Sequence, residues 1–230
     1  MNNTVLITGA NRGIGLEFVR HYLAAGDTVI GCCRAPEQAL SLQQLSERHP
    51  GQLELVGLDV TEPEQFNGLS DYLQGRALDL VINNAGTYGP KGVPFGQVTP
   101  QGFSEVMQVN VLAPLLLVQS LIGNLERNSK VAIVSSKMGS ISDNQKGGAY
   151  FYRASKSAVN AIAMSLSRDL GPRGISVVSL HPGWVQTDMG GPQAHIDAAT
   201  SVAGMAHVIE QLTLADSGKF INYDGSELAW

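Results

Sequence analysis

The chain has 230 residues, of which 43% are apolar and 15% charged, with a net charge of −5 from 15 basic and 20 acidic side chains. That length suits one well-filled core, so a single domain over residues 1–230 is expected, and 26 glycines suit an architecture with many turns. Neither charge sign forms a run, which gives no footing for nucleic acid or an anionic membrane; no stretch reads as a secretory leader or membrane span, and a cytoplasmic location is expected.

Apolar Thr4–Thr8 reads as a first strand, broken by Gly9, Gly13 and Gly15 before Ile14, Phe18, Val19, Tyr22 and Leu23 recur at helical spacing. Glycines there let the backbone turn tightly and approach a diphosphate at the positive end of the next helix. Their spacing, Gly9-xxx-Gly13-x-Gly15, departs from the GxGxxG dinucleotide fingerprint. Thr28–Cys33 is a second strand, in which Cys32 and Cys33 point to opposite faces and so form neither a disulfide nor a metal pair.

Arg34-Ala35-Pro36 opens a surface helix with an apolar side of Leu40, Leu42 and Leu45, and Leu53–Leu58 returns as strand three. Thr61 is read as the N-cap of the next helix with Glu64 as its capping-box partner, before strand four at Leu78–Ile82. A loop from Asn83 to Thr99 leads to a long helix from Pro100 to about Glu126, bent at Pro114, and Lys130–Val134 is strand five. A second long helix covers about Ala149 to Leu170, Ile175–Leu180 is strand six, a helix spans Ile196–Thr213, and Phe220–Tyr223 closes the sheet. Strands alternating with helices at this spacing predict an α/β fold, a mostly parallel sheet with helices on both faces.

Tyr152 and Lys156 stand four apart on one helix, so both can emerge on one face, and a cation beside a phenol eases its ionisation. Ser136 ends strand five, where such sheets place ligands, and could hold a carbonyl oxygen; Ser135 should face elsewhere. Asn110 sits inside a helix against its propensity, which a polar role would explain.

These motifs in this order, Thr8-Gly9-Ala10-Asn11-Arg12-Gly13-Ile14-Gly15, Asn83-Asn84-Ala85-Gly86, Ser136, Tyr152-Arg153-Ala154-Ser155-Lys156 and His181-Pro182-Gly183-Trp184-Val185-Gln186-Thr187, resemble the short-chain dehydrogenase/reductase family. The likeness is nearest to its sniffer-like, carbonyl-reductase-like and C-factor-like members and spans nearly the whole chain. It implies a Rossmann-like, doubly wound sheet of seven mainly parallel strands in the order 3-2-1-4-5-6-7. It also implies a catalytic set of Asn110, Ser136, Tyr152 and Lys156: Ser136 holds the carbonyl, Tyr152 is general acid, Lys156 contacts the nicotinamide ribose and lowers the tyrosine pKa, and Asn110 holds a water.

The implied cofactor contacts are Gly9, Asn11, Arg12, Gly13, Ile14 and Gly15 in the turn, Asp59 and Val60 at the adenine, and Asn83, Ala85 and Gly86 alongside. Tyr152, Lys156, Pro182, Gly183, Val185 and Thr187 complete them on the nicotinamide side, and no metal is implied. Where an NAD site carries an acid after strand two, this chain has Cys33-Arg34, and Arg12 lies in the turn; guanidinium groups suit a 2′-phosphate, so NADP(H) is expected.

The substrate expected is a small or medium carbonyl compound, or the matching alcohol, beside an apolar wall drawn from Tyr88, Phe95, Met138, Trp184 and Met189. A homodimer or homotetramer through the helices holding Val106–Leu121 and Val159–Leu170 is expected. The rival is a regulatory or signalling protein that binds NADP(H) without needing turnover.

Overall fold

The computed structural model describes residues 2–230. Seven strands form one sheet in the order β3-β2-β1-β4-β5-β6-β7, and every neighbouring pair runs parallel. They are β1 (Thr4–Thr8), β2 (Thr28–Cys33), β3 (Leu53–Gly57), β4 (Leu78–Asn83), β5 (Leu125–Val134), β6 (Ser176–His181) and β7 (Phe220–Asn222). Parallel strands need crossovers, and helices on both faces leave the strands buried on both sides, which is why their residues read as continuous apolar runs.

Val5 and Ile7 pack on one face with α1 (Gly13–Ala24), α2 (Leu40–Arg48) and α7 (Ala198–Gln211) through Phe18, Leu42 and Met205. Leu6 packs on the other with α3 (Pro63–Leu73), α5 (Ala113–Ser120) and α6 (Tyr150–Leu170) through Phe66, Leu117 and Val159. Each such fully buried side chain contributes about 1.5–3 kcal/mol relative to exposure. Cys32 and Cys33 divide between the two cores, as their alternation requires. Strand order reverses between β1 and β4, which opens a crevice beyond their carboxyl ends.

Several boundaries differ from the sequence reading. The Pro100–Glu126 helix ends at Ser120, and β5 begins at Leu125, paired with Leu78. Asn128 has φ 77°, and the Ser129 hydroxyl donates to the Leu78 carbonyl at 2.7 Å, so a local kink carries the strand past its polar stretch. Within that helix, α4 (Pro100–Met107) and α5 are joined by a five-residue π segment, Gln108–Leu112. Pro114 has no amide hydrogen for the Asn110 carbonyl four residues earlier, and the wider turn accommodates the missing donor.

By length and hydropathy Pro100–Ser120 would suffice to cross a bilayer, yet Val106, Ala113, Leu117 and Val118 are buried within the protein. Thr61 does not cap α3: the cap position is Glu62, and the Thr61 hydroxyl donates to Asp59 Oδ1 at 2.8 Å. A 3-10 turn at Pro36–Gln38 precedes α2, whose Leu42 is buried while Leu40 is exposed. Residues 226–230 fold back along β7: Leu228 N donates to Phe220 O at 2.8 Å, Trp230 stacks on Phe220 at 5.5 Å, and the Trp230 carbonyl accepts from Ser142 N and Oγ.

Candidate active site

The glycine turn is fastened to the end of β4. Thr8 Oγ1 accepts from the amides of Asn84 and Ala85, each at 3.1 Å, while Asn84 Nδ2 donates to the Thr8 and Gly9 carbonyls at 2.9 and 3.2 Å. Gly9 has φ 65°, and a Cβ on Gly15 would overlap the Gly9 carbonyl, so both positions need glycine. Arg12 occupies the α1 cap position in an extended conformation; no described side chain caps the helix and its first turn carries no acid. The leading amides and the helix dipole are therefore free for an anion, and the glycine cradle fits a dinucleotide diphosphate.

The other residues singled out in the sequence border this turn or the crevice. Gly13 has φ 52°, and its Cβ position lies 3.4 Å from Thr187 Cγ2, which brings the segment after β6 onto the turn. Thr187 donates to the Val185 carbonyl at 3.3 Å, Pro182 accepts from Ser201 at 2.6 Å, and Gly183 has φ 82° with Ile196 and Tyr223 against it. Asn83, Ala85 and Val60 line a small hollow with Thr8 and Pro114; Asn83 is buried and its Nδ2 has no partner.

Asp59 spends Oδ1 on the Thr61 amide and hydroxyl. Asn11 and Arg34 are exposed, Ile14 is half-buried, and Arg12 reaches across to Asp188 at 2.9 Å, a solvent-exposed pair that is cheap to break.

Beyond β5, four polar side chains converge. Ser136 accepts from Met138 N at 3.2 Å and lies beside the phenol of Tyr152. Burial pushes the Tyr152 pKa up to about 12; the Ser136 hydroxyl pulls it down and the Tyr88 phenol adds to the rise. Lys156 is buried, donates to the Val134 carbonyl at 2.8 Å, and its Nζ stands 5.6 Å from the Tyr152 ring centroid. Burial lowers its pKa to about 8. The lysine was expected to lower the tyrosine pKa; the groups that shift it here are burial, Ser136 and Tyr88.

Asn110, in the π segment, accepts from Thr87 N and donates to Thr87 O, both at 2.8 Å, and donates to Ser155 Oγ at 2.9 Å. A Cβ on Gly86 would lie 3.3 Å from Asn110 Oδ1 and 3.7 Å from Lys156 Nζ, so the chain between them is narrow by necessity. Ser135 turns away to Asn160 Oδ1 at 2.6 Å. His181, outside the quartet, is held near pKa 4 by burial. Of the apolar wall, Tyr88 stacks on Tyr152, Trp184 and Met189 are partly exposed, and Phe95 is 88% exposed and packs on Tyr150 rather than enclosing the site. Of the residues that hold the site together, Thr8, Asn84 and Ser155 stood in the quoted motifs without an assigned role, and Thr87 was not singled out.

A parallel doubly wound sheet with a glycine turn at an uncapped helix start, beside a tyrosine, lysine and serine cluster, defines a nucleotide-dependent oxidoreductase. The chain belongs to the short-chain dehydrogenase/reductase family: the model described as short chain dehydrogenase matches residues 3–197. It is 44% identical over 155 residues to C-signal of Myxococcus xanthus, covering 66% of this chain and 93% of that protein. Among solved structures it is similar to the NADPH-bound carbonyl reductase from chicken fatty liver, with TM-score 0.92 and 38% identity over 100% of this chain and 99% of that one. The carbonyl reductase Sniffer of D. melanogaster matches with TM-score 0.93 and 36% identity over 100% of both chains.

Proposed function

We propose that the chain is an NADP(H)-dependent reductase of a small or medium carbonyl compound, with the corresponding alcohol as product. The observation that carries this reading is the gathering of Asn110, Ser136, Tyr152 and Lys156 at the carboxyl ends of the strands, next to the glycine cradle. Gly9, Gly13, Ile14 and Gly15 would hold the diphosphate, Asp59 and Val60 the adenine, and Arg34 and Arg12 the 2′-phosphate, Arg12 after leaving Asp188. Asn11, Asn83, Ala85, Gly86, Pro182, Gly183, Val185 and Thr187 would complete the contacts.

When bound, the reduced nicotinamide supplies hydride. Ser136 holds the substrate oxygen by its hydroxyl, and Tyr152 gives that oxygen a proton. The phenol is protonated at neutral pH, the form that can donate, and the proton transfer would be eased by charge brought close to it on binding. Lys156 stands close enough to stabilise the phenolate left behind, and Asn110 ties the loop after β4 to α6.

The partly exposed apolar residues of Pro100–Ser120, Leu112 among them, support self-association through that helix and α6 into a dimer or tetramer, and the composition supports a cytoplasmic setting. A second reading, a protein that binds NADP(H) and acts through a protein partner, is favoured by the similarity to C-signal.

The deciding experiment titrates NADPH and NADH into purified protein and then screens carbonyl compounds. The expected result is at least about tenfold preference for NADPH, roughly 1.4 kcal/mol, with NADPH oxidised only when a carbonyl is present. Tyr152→Phe should keep cofactor binding and lose turnover. Tight NADPH binding with no turnover across a broad panel would favour the second reading, and an equal or opposite cofactor preference would remove the Arg34 assignment.

A further inference from the structure

The loop after β4 is fastened at several points. Asn110 grips Thr87 through both its amide and its carbonyl, and Thr87 Oγ1 accepts from Gly89 N at 3.1 Å. Gly89 has φ 73° and lies so near Val106 that a Cβ would overlap that side chain. Between these fastenings Tyr88 lays its ring on Tyr152, with centroids 4.6 Å apart and planes inclined by 24°. Lys91 Nζ stands 5.7 Å from the Tyr88 centroid and donates to the Met189 carbonyl at 3.3 Å, which ties the same loop to the segment after β6.

We infer that Tyr88 is a positioning residue for the reaction: its ring, anchored through Asn110, holds the Tyr152 phenol in the orientation and the dry surroundings from which it gives its proton to the substrate oxygen. The inference rests on the carbonyl-reductase reading and adds one residue to that site. A stacked ring restricts the torsions of its partner and takes water from one face, and a drier phenol keeps its proton to higher pH. In the step concerned, the Tyr152 O–H bond breaks, an O–H bond forms on the substrate oxygen that receives hydride at its carbon, and a phenolate remains beside Lys156. The titratable groups packed on the two rings are Lys156 from α6 and Lys91 from the loop, with the Ser136 hydroxyl from the end of β5.

The test compares Tyr88→Ala and Tyr88→Phe with the parent protein. For Tyr88→Ala, kcat for carbonyl reduction should fall at least about tenfold while the Kd for NADPH moves less than about twofold. Because reduction needs the protonated phenol, the alkaline loss of activity should also begin at lower pH. Tyr88→Phe, which keeps the ring, should restore turnover and most of the pH profile, losing only the part that the Tyr88 phenol adds.

A readout independent of turnover is the ultraviolet titration of the Tyr152 phenol, obtained by subtracting the matching Tyr152→Phe protein. Its midpoint should fall further in Tyr88→Ala than in Tyr88→Phe, which keeps the stacked ring and loses only the phenol. A folded Tyr88→Ala protein with unchanged or higher kcat and an unchanged phenol titration would overturn the inference. If the parent reduces no carbonyl, the functional reading fails instead, and the phenol titration still decides the place of Tyr88.

Discussion

Gly15 and Gly9 come so close that no side chain fits between them, and the turn they make is stitched to β4 by Thr8 and Asn84. Gly15→Ala should therefore destabilise the fold by about 1–3 kcal/mol, the usual cost of overpacking a closed contact, and weaken NADPH binding. Urea unfolding with and without cofactor checks this; an unchanged midpoint would show that the two backbone segments separate freely. The glycines were legible because their lack of Cβ is itself the message. Asn84 and Thr8 were not: they stand 76 positions apart, and neither residue type announces its partner. Tyr152 and Lys156 were legible for the opposite reason, since four positions on a helix bring two side chains together whatever the rest of the chain does.

At the scale of elements, the alternating periods located every strand and most helices, but their ends followed tertiary contacts. Leu125 reads as the tail of a helix until Leu78 is beside it, and Thr61 reads as a cap until Asp59 takes its hydroxyl. Pro114 was expected to bend a helix, and just before it the helix widens into the π turn that carries Asn110. Pro114→Ala would return the missing amide donor to the Asn110 carbonyl and tighten that turn. The expected outcome is a folded protein with reduced carbonyl turnover and less protection from hydrogen exchange at the Thr87 amide, which Asn110 Oδ1 accepts. Unchanged exchange and turnover would mean the segment keeps its geometry without the proline.

For the molecule as a whole, the seven-strand order was legible through the family resemblance, while βαβ alternation alone gave only a parallel sheet. Its response to acid was not legible, because it depends on how deeply one ring is covered. His181 ends β6 with Nδ1 buried and unpartnered, and burial, with Lys137 adding to the effect and Asp224 opposing it, lowers its pKa from 6.5 to about 4. The unfolded chain thus takes up a proton near pH 6.5 that the folded chain refuses until about pH 4. Stability from this group is complete above the higher value and is lost as pH falls between the two, by no more than about 3 kcal/mol. Urea midpoints measured from pH 7 to pH 4.5 should show that decline, and His181→Gln should flatten it. An identical slope in the variant would place the acid sensitivity elsewhere.

Residues 226–230 run back along β7 and deliver Trp230 to Ser142, a short step along the chain from Ser136. Replacing Leu228 by Pro, which has no amide hydrogen for the Phe220 carbonyl, would therefore loosen the segment that props the loop leading into α6, the ground on which Tyr152 stands.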